Sequence, residues 1–344
     1  MSVIDVCIAG AGPAGLAAAI AAKQRGLSYR VFEKGSLVNS LLHYPAGMVF
    51  FTTPELMEIG GLPFVSPHDK PTRAEALRYY RRVSETYDLD IAFDTPVTVI
   101  DRRRFDGFEG FVVGTGGRTP DSTPARFVVM ATGAYDFPNR LGVPGEDLPH
   151  VSHYFGEPFP WYRKHVVVVG GKNSAAETAL ELFRNGARVT LLHRQAKLAD
   201  SIKYWVKPDI ENRIAEGSIQ ARFNAHVREI TPTEVVVETR GAAERSGAEG
   251  PPLGHIERIA ADGVFLLTGY RSDNQLLGSA GVEILNDGEY PKHDPETYET
   301  NVPGLFLAGA VIAGRQSGRI FIENGRFHGE QVIAQIARRL KTKD

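Results

Sequence analysis

Gly10, Gly12 and Gly15 stand in the spacing G-x-G-x-x-G at the end of an apolar run, in VIDVCIAGAGPAGLAAAI. A glycine turn that opens a helix leaves backbone N–H groups free to face an anion, and the helix dipole favours negative charge there. Glu33 follows eighteen positions after Gly15, at the end of YRVFEK, where a carboxylate accepts hydrogen bonds from ribose hydroxyls. A second cradle, HVVVVGGKNSAAETAL, runs through Gly170, Gly171, Lys172, Asn173, Ser174 and Ala175. Lys172 holds the middle-glycine position, where a lysine takes the turn at a cost in strain and brings its ammonium toward a pyrophosphate. The matching strand end, RVTLLHR, carries His193 and Arg194 instead of an acid, with Lys197 close behind. Cations there favour a 2′-phosphate through charge-assisted hydrogen bonds. The first cradle therefore predicts FAD and the second NADPH, and the chain reads as an NADPH-dependent flavoprotein oxidoreductase.

Other segments suit a flavin site in this order along the chain. Asn39, Ser40, His43 and Tyr44 lie just past Glu33, within chain reach of the phosphates and ring. Ala131-Thr132-Gly133 ends a meander, and Leu307-Ala308-Gly309-Ala310 opens the closing strand–loop–helix. His43, His150 and His153 show no metal-ligand spacing, so no metal is expected. No Ser-His-Asp arrangement is readable, and no catalytic side chain is assigned. Cys7 sits between Val6 and Ile8 in an apolar strand, the setting of a small buried hydrophobe with an inert thiol.

The elements that must position these residues follow from pattern and length. A chain of 344 residues allows two domains, and 42% hydrophobic residues with 36 glycines predict a packed core with many tight turns. A net charge of −2 gives no electrostatic footprint for nucleic acid. One cysteine excludes an internal disulfide and a C-x-x-C pair. The apolar stretch Val6 to Ala22 contains Pro13 and three glycines and lacks a basic leader, so it reads as strand–turn–helix and not as a signal peptide. No apolar run approaches membrane-helix length, and a cytoplasmic protein is expected. Residues 35 to 69 read as a long irregular segment of functional kind. Thr72 and Glu75 predict a capping box opening a helix to about Tyr87, and VTVIDRRRF, GFVVGT and ARFVVMATG predict an antiparallel meander. Pro138 to Pro149 reads as a linker, the next helix as Ser174 to Asn185, and a second meander as Val227 to Val264. Inside that meander, RGAAERSGAEGPPLG is low in complexity and expected to be mobile. The C-terminal piece has no core of its own and should pack onto the N-terminal unit.

With both cradles, the A-T-G and the A-G-A, the chain resembles the thioredoxin reductase and ferredoxin–NADP reductase group of flavoproteins. Within it, EKGSLVNSLLHYPAGMVFFTTPELMEIGGLPF, GGKNSAAETALEL, SIKYWVKPDIENRI and GRIFIENGRFHG are similar to YpdA-type bacillithiol disulfide reductases. The resemblance implies an α/β fold of two three-layered, Rossmann-like dinucleotide-binding domains, the NADPH domain (137–268) inserted in the FAD domain (1–136 and 269–344). It implies FAD, NADPH and a homodimer or homotetramer. The expected FAD set is Gly10, Gly12, Pro13, Ala14, Gly15, Glu33, Lys34, Asn39, Ser40, His43, Val97, Thr132, Gly133, Gly309, Ala310 and Ile320. Gly269 joins the second-cradle residues in the NADPH set. Two positions depart from the pattern. Ala14 replaces the cysteine of G-P-C-G, and an alanine has no thiolate to attack a disulfide. Ala310 replaces the aspartate that the wider group places after the C-terminal Ala-Gly. Reduced flavin would then pass electrons directly to a small disulfide, a quinone, an electron-transfer protein or oxygen. A ferredoxin or flavodoxin reductase, a flavin monooxygenase (from VPGEDLPHVSHY) and a flavin redox sensor stand as alternatives.

Overall fold

The computed structural model describes residues 2–239, 254–285, 290–315 and 317–341. The low-complexity turn that begins at Arg240 lies outside the described residues. The chain forms two compact units, Met1–Phe137 with Tyr270–Asp344, and Pro138–Gly269.

In the first unit the strand Ile4–Ala9 lies between Tyr29–Phe32 and Asp121–Met130, all three parallel, with Ile91–Ala92 parallel beyond. Leu305–Leu307 arrives from the C-terminal stretch and pairs parallel with the end of Asp121–Met130. Val97–Phe105, Phe108–Thr115 and Asp121–Met130 form the antiparallel meander. Side-chain alternation divides the first strand: Val6 and Ile8 enter one core, Cys7 and Ala9 the other. A parallel strand buried on both faces reads as an unbroken apolar run for this reason. The helices Pro13–Gln24, Arg73–Thr86 and His328–Lys341 cover the first of these cores, the last through Val332, Ile333 and Ile336.

Thr72 Oγ1 accepts from Glu75 N–H at 3.2 Å while the Glu75 carboxylate accepts from Thr72 N–H at 2.8 Å, so two orphan donors at the helix start are satisfied reciprocally. Between residues 35 and 69 only Asn39–Leu42 and the 3-10 turn Pro54–Met57 are regular. Tyrosines of the helix Arg73–Thr86 hold the stretch around residues 57–59: Tyr79 Oη accepts from Ile59 N–H at 2.9 Å, and the Tyr80 hydroxyl donates to the Met57 carbonyl at 3.0 Å.

The second unit repeats the plan. Its parallel sheet runs Gln220–Arg222, Arg188–Leu192, His165–Val169, Gly263–Leu266, Val151–Ser152. Val166 and Val168 face the helix Asn173–Arg184, whose span begins one residue before the expected Ser174. Val167 and Val169 face the antiparallel ribbon of Ala225–Ile230, Glu234–Thr239 and His255–Ala260. Helix, parallel sheet and ribbon give three layers.

Candidate dinucleotide-binding sites

The first strand ends at Gly10, with φ +104°, where a Cβ would stand 2.5 Å from the Ala131 carbonyl oxygen. At Gly15 a Cβ would stand 2.0 Å from the Gly10 carbonyl oxygen. These two glycines are required by the protein's own backbone. Gly12 differs, because a Cβ there meets nothing within 4 Å. Gly12 is the N-cap of the first helix, which has no side-chain cap and no acid in its first turn. Pro13 at the first helical position gives up only a donor the helix does not use. Open N–H donors beside unfilled space fit a pyrophosphate.

Glu33 is buried, its Oε2 accepting from Ala11 N–H at 2.7 Å and its Oε1 from Gly35 N–H at 3.0 Å. Burial pushes its carboxyl up, and the two backbone donors pull against that. One acceptor site on each oxygen is left for ribose hydroxyls. Lys34 is tied to Asp136 at 2.9 Å. Asn39 turns back on its own loop, its Oδ1 accepting from Ser36 N–H at 3.4 Å. The Ser40 hydroxyl lies 3.9 Å from the Cβ position of Gly133, which has φ +71°. Thr132 Oγ1 is buried and has no hydrogen-bond partner among the described residues, a vacancy of the kind a ligand fills.

His43 contributes its carbonyl, which accepts from the Tyr135 hydroxyl at 3.4 Å. Val97 opens the meander opposite Thr115, and Ile320 Cγ2 lies 3.1 Å from the Cβ position of Gly325. Gly309 and Ala310 begin the 3-10 turn Gly309–Ala313, and a Cβ on Gly309 would stand 2.8 Å from that of Ala14. The thiol of Cys7 is fully buried in the strand behind the cradle, and burial pushes its pKa far up.

The second cradle keeps the same register. Gly170 N–H donates to the Leu192 carbonyl at 2.9 Å, as Gly10 N–H donates to Phe32 at 2.8 Å. His193 N–H donates to Arg222 at 2.9 Å, as Glu33 N–H donates to Ala92 at 2.9 Å. His193 is therefore the positional counterpart of Glu33. Its ring lies over Gly171, where a Cβ would come within 2.2 Å of it. Burial, then Arg194, pushes the imidazole down, so the ring is neutral at neutral pH.

The expected strain at Lys172 is absent: its φ of −118° and ψ of −167° are extended backbone, open to any L-residue. Lysine takes the N-cap position without backbone strain, and its exposed side chain starts from the position that Gly12 leaves bare. Asn173 is engaged by the loop that follows, its Oδ1 accepting from Lys203 N–H at 2.9 Å and its Nδ2 donating to Ser201 at 3.4 Å. Ser174 is exposed and Ala175 buried. Lys197 pairs with Asp200 at 2.9 Å, and Lys207 and Lys197 together hold that carboxyl at about 2. Arg194 is exposed and forms no ion pair among the described residues. Gly269, with φ +94°, ends the unit, its carbonyl accepting from Asn139 N–H at 2.9 Å.

The donors to Glu33, the Asp136 partner of Lys34, and His328 beside Gly309 were not singled out from the sequence. Backbone N–H groups carry no side-chain signature, and His328 had only its place in GRIFIENGRFHG as a signal. Among the described residues no cluster of three metal-ligating side chains occurs, and no helix is long and apolar enough to cross a membrane.

Bacilliredoxin reductase Bdr of Bacillus subtilis is 44% identical over 332 residues, covering 96% of this chain and 97% of its own. The solved bacillithiol disulfide reductase Bdr (YpdA) of Bacillus cereus shares 39% identity at a TM-score of 0.90, covering 98% of this chain and all of that one. Its Staphylococcus aureus counterpart shares 37% at 0.89, with 98% and 99% covered. The fold is thus the two-domain, thioredoxin reductase-like arrangement, and the chain is a flavin-dependent oxidoreductase. The profile of the pyridine nucleotide-disulphide oxidoreductases matches residues 7–309, and this chain belongs to that family.

Proposed function

We propose that the first cradle binds FAD and the second NADPH, and that hydride passes from nicotinamide to flavin and then directly to an acceptor. The observation that carries this reading is Gly12: bare space over an uncapped helix N-terminus, with a buried acid at the ribose position. When bound, the flavin supplies the redox chemistry. The chain's part is to hold phosphates at Gly12 and Lys172, to accept ribose hydroxyls at Glu33, and to read the 2′-phosphate at Arg194. Relatives named for bacillithiol disulfide support a small disulfide as the acceptor. Ala14 leaves the cradle without a thiol, so no mixed disulfide with the protein forms there. A cytoplasmic homo-oligomer belongs to the same proposal and is checked by light scattering and fractionation.

The test is the purified protein itself, expected to be yellow with an oxidised flavin spectrum. Gly12→Val fills the pyrophosphate space, and Glu33→Ala removes the ribose acceptor; both should lower FAD retention. A colourless chain that takes up no added FAD overturns the reading.

A further inference from the structure

Three segments far apart in sequence meet at Gly309. Its φ is +79°, and a Cβ there would stand 2.8 Å from the Cβ of Ala14 in the first helix. A Cβ on Gly325 would lie 3.3 Å from Gly309 Cα, and one on Gly329 would lie 2.5 Å from the Ala14 carbonyl oxygen. The turn Gly309–Ala313, the first helix and the last helix thus run backbone against backbone, with glycines at the contacts.

His328, the first residue of the last helix, closes this junction. It is buried, and its Nδ1 accepts from Gly309 N–H at 3.2 Å. The ring stacks on Tyr298 with centroids 4.4 Å apart and planes at 27°. The Tyr298 carbonyl in turn accepts from Leu307 N–H at 2.9 Å, two residues before Gly309. An Nδ1 that accepts carries no proton, so the hydrogen of the neutral ring sits on Nε2. Burial, then His293, pushes His328 down to about 4, which keeps the ring a neutral acceptor at neutral pH.

We propose that His328 is a positioning residue for the first cradle: by holding Gly309 N–H it fixes the turn Gly309–Ala313 against the Ala14 end of the first helix. This inference rests on the reading of that cradle as the FAD site. Glycine has the freedom to rotate, so without its acceptor the buried N–H of Gly309 would swing toward another partner and carry Ala310 with it.

Two variants of the full chain separate the acceptor from the ring. His328→Phe keeps the stack on Tyr298 and removes the acceptor; His328→Asn keeps an acceptor oxygen near the Nδ1 position and gives up the ring. FAD is titrated into each apoprotein by fluorescence quenching, and the visible spectrum of the bound flavin is recorded. His328→Phe should raise the Kd for FAD about tenfold or more and shift the flavin band, with His328→Asn within about threefold of the parent. A Phe variant matching the parent in Kd and spectrum, or an Asn variant as impaired as the Phe variant, overturns the proposal while the FAD reading stands. A parent chain that takes up no FAD overturns both. Should His328→Phe fail to fold, the parent decides by imidazole nitrogen NMR at neutral pH. A bare Nδ1 with the proton on Nε2 supports the hydrogen bond, and a protonated Nδ1 overturns it.

Discussion

At the scale of single residues, burial is the leading influence on Cys7, His193 and His328. His328 shows the consequence for pH. Its folded value of about 4 lies below the ordinary 6.5, so between those limits the unfolded chain binds a proton that the folded chain refuses. Stability from this group is complete above pH 6.5 and falls as pH drops to about 4, by about 3 kcal/mol in all. The other titratable group acting on it is His293, whose ring also lies against Tyr298, with centroids 6.4 Å apart. Denaturant unfolding at pH 7 and pH 4.5 should show the slope, and His328→Phe should lessen it, leaving the part due to His153 and His193. Arg194 gives a second test. Only NADPH carries the 2′-phosphate, so Arg194→Ala should raise the KM for NADPH on the order of ten- to a hundredfold and leave that for NADH nearly unchanged. Equal effects on both nucleotides would remove Arg194 from that role. Cys7 gives a third. Cys7→Ser should leave flavin reduction by NADPH intact and cost about 1 to 3 kcal/mol of stability, because a hydroxyl is buried among apolar neighbours. Ala14→Cys should instead raise the rate of disulfide reduction above that of the parent, since it places a thiol beside the Gly309 turn; thiol release assayed on a low-molecular-weight disulfide would read it.

At the scale of elements, what local chemistry dictates was legible and what backbones do to one another was not. The capping box at Thr72 and Glu75 marked its helix to within one residue because both partners sit three positions apart. Thr72→Ala should lower stability by about 1 kcal/mol, measured by thermal melting. The helix after Lys172 began one residue early, since its N-cap makes no side-chain hydrogen bond that would mark the start. The strain assigned to Lys172 assumed that a middle glycine is needed for its dihedral angles. The structure separates two uses of glycine: Gly15 for contact with Gly10, and Gly12 for space alone. Glu33 was recognisable from its distance to the turn, whereas its grip on Ala11 and Gly35 depends on a chain reversal that spacing does not encode. The convergence of Ala14, Gly309 and Gly329 lies still further from the sequence, because residues more than 290 positions apart have to come together.

At the scale of the whole molecule, the two units differ in how the chain builds them. Pro138–Gly269 is one uninterrupted segment with two apolar cores and its own parallel sheet. The other unit needs both chain ends: Leu305–Leu307 extends its sheet, and Val332, Ile333 and Ile336 fill the core beneath the first helix. A fragment of residues 138–269 should therefore fold alone and unfold cooperatively. A fragment of residues 1–137 should not, having lost Phe306 and the last helix. Circular dichroism and thermal melting of the two fragments would decide it, and a cooperatively folded 1–137 fragment would contradict the dependence on the C-terminal stretch.

The two ends of the inserted segment are stitched together. Asn139 N–H donates to the Gly269 carbonyl at 2.9 Å, and the Thr268 hydroxyl donates to the Asn139 carbonyl at 2.6 Å. Chain entry and chain exit thus share one doorway, and the segment behaves as a cassette. A homologous stretch with a different coenzyme preference could be exchanged between these two junctions, far apart in the gene but side by side in the fold, without redrawing a single strand of the host sheet.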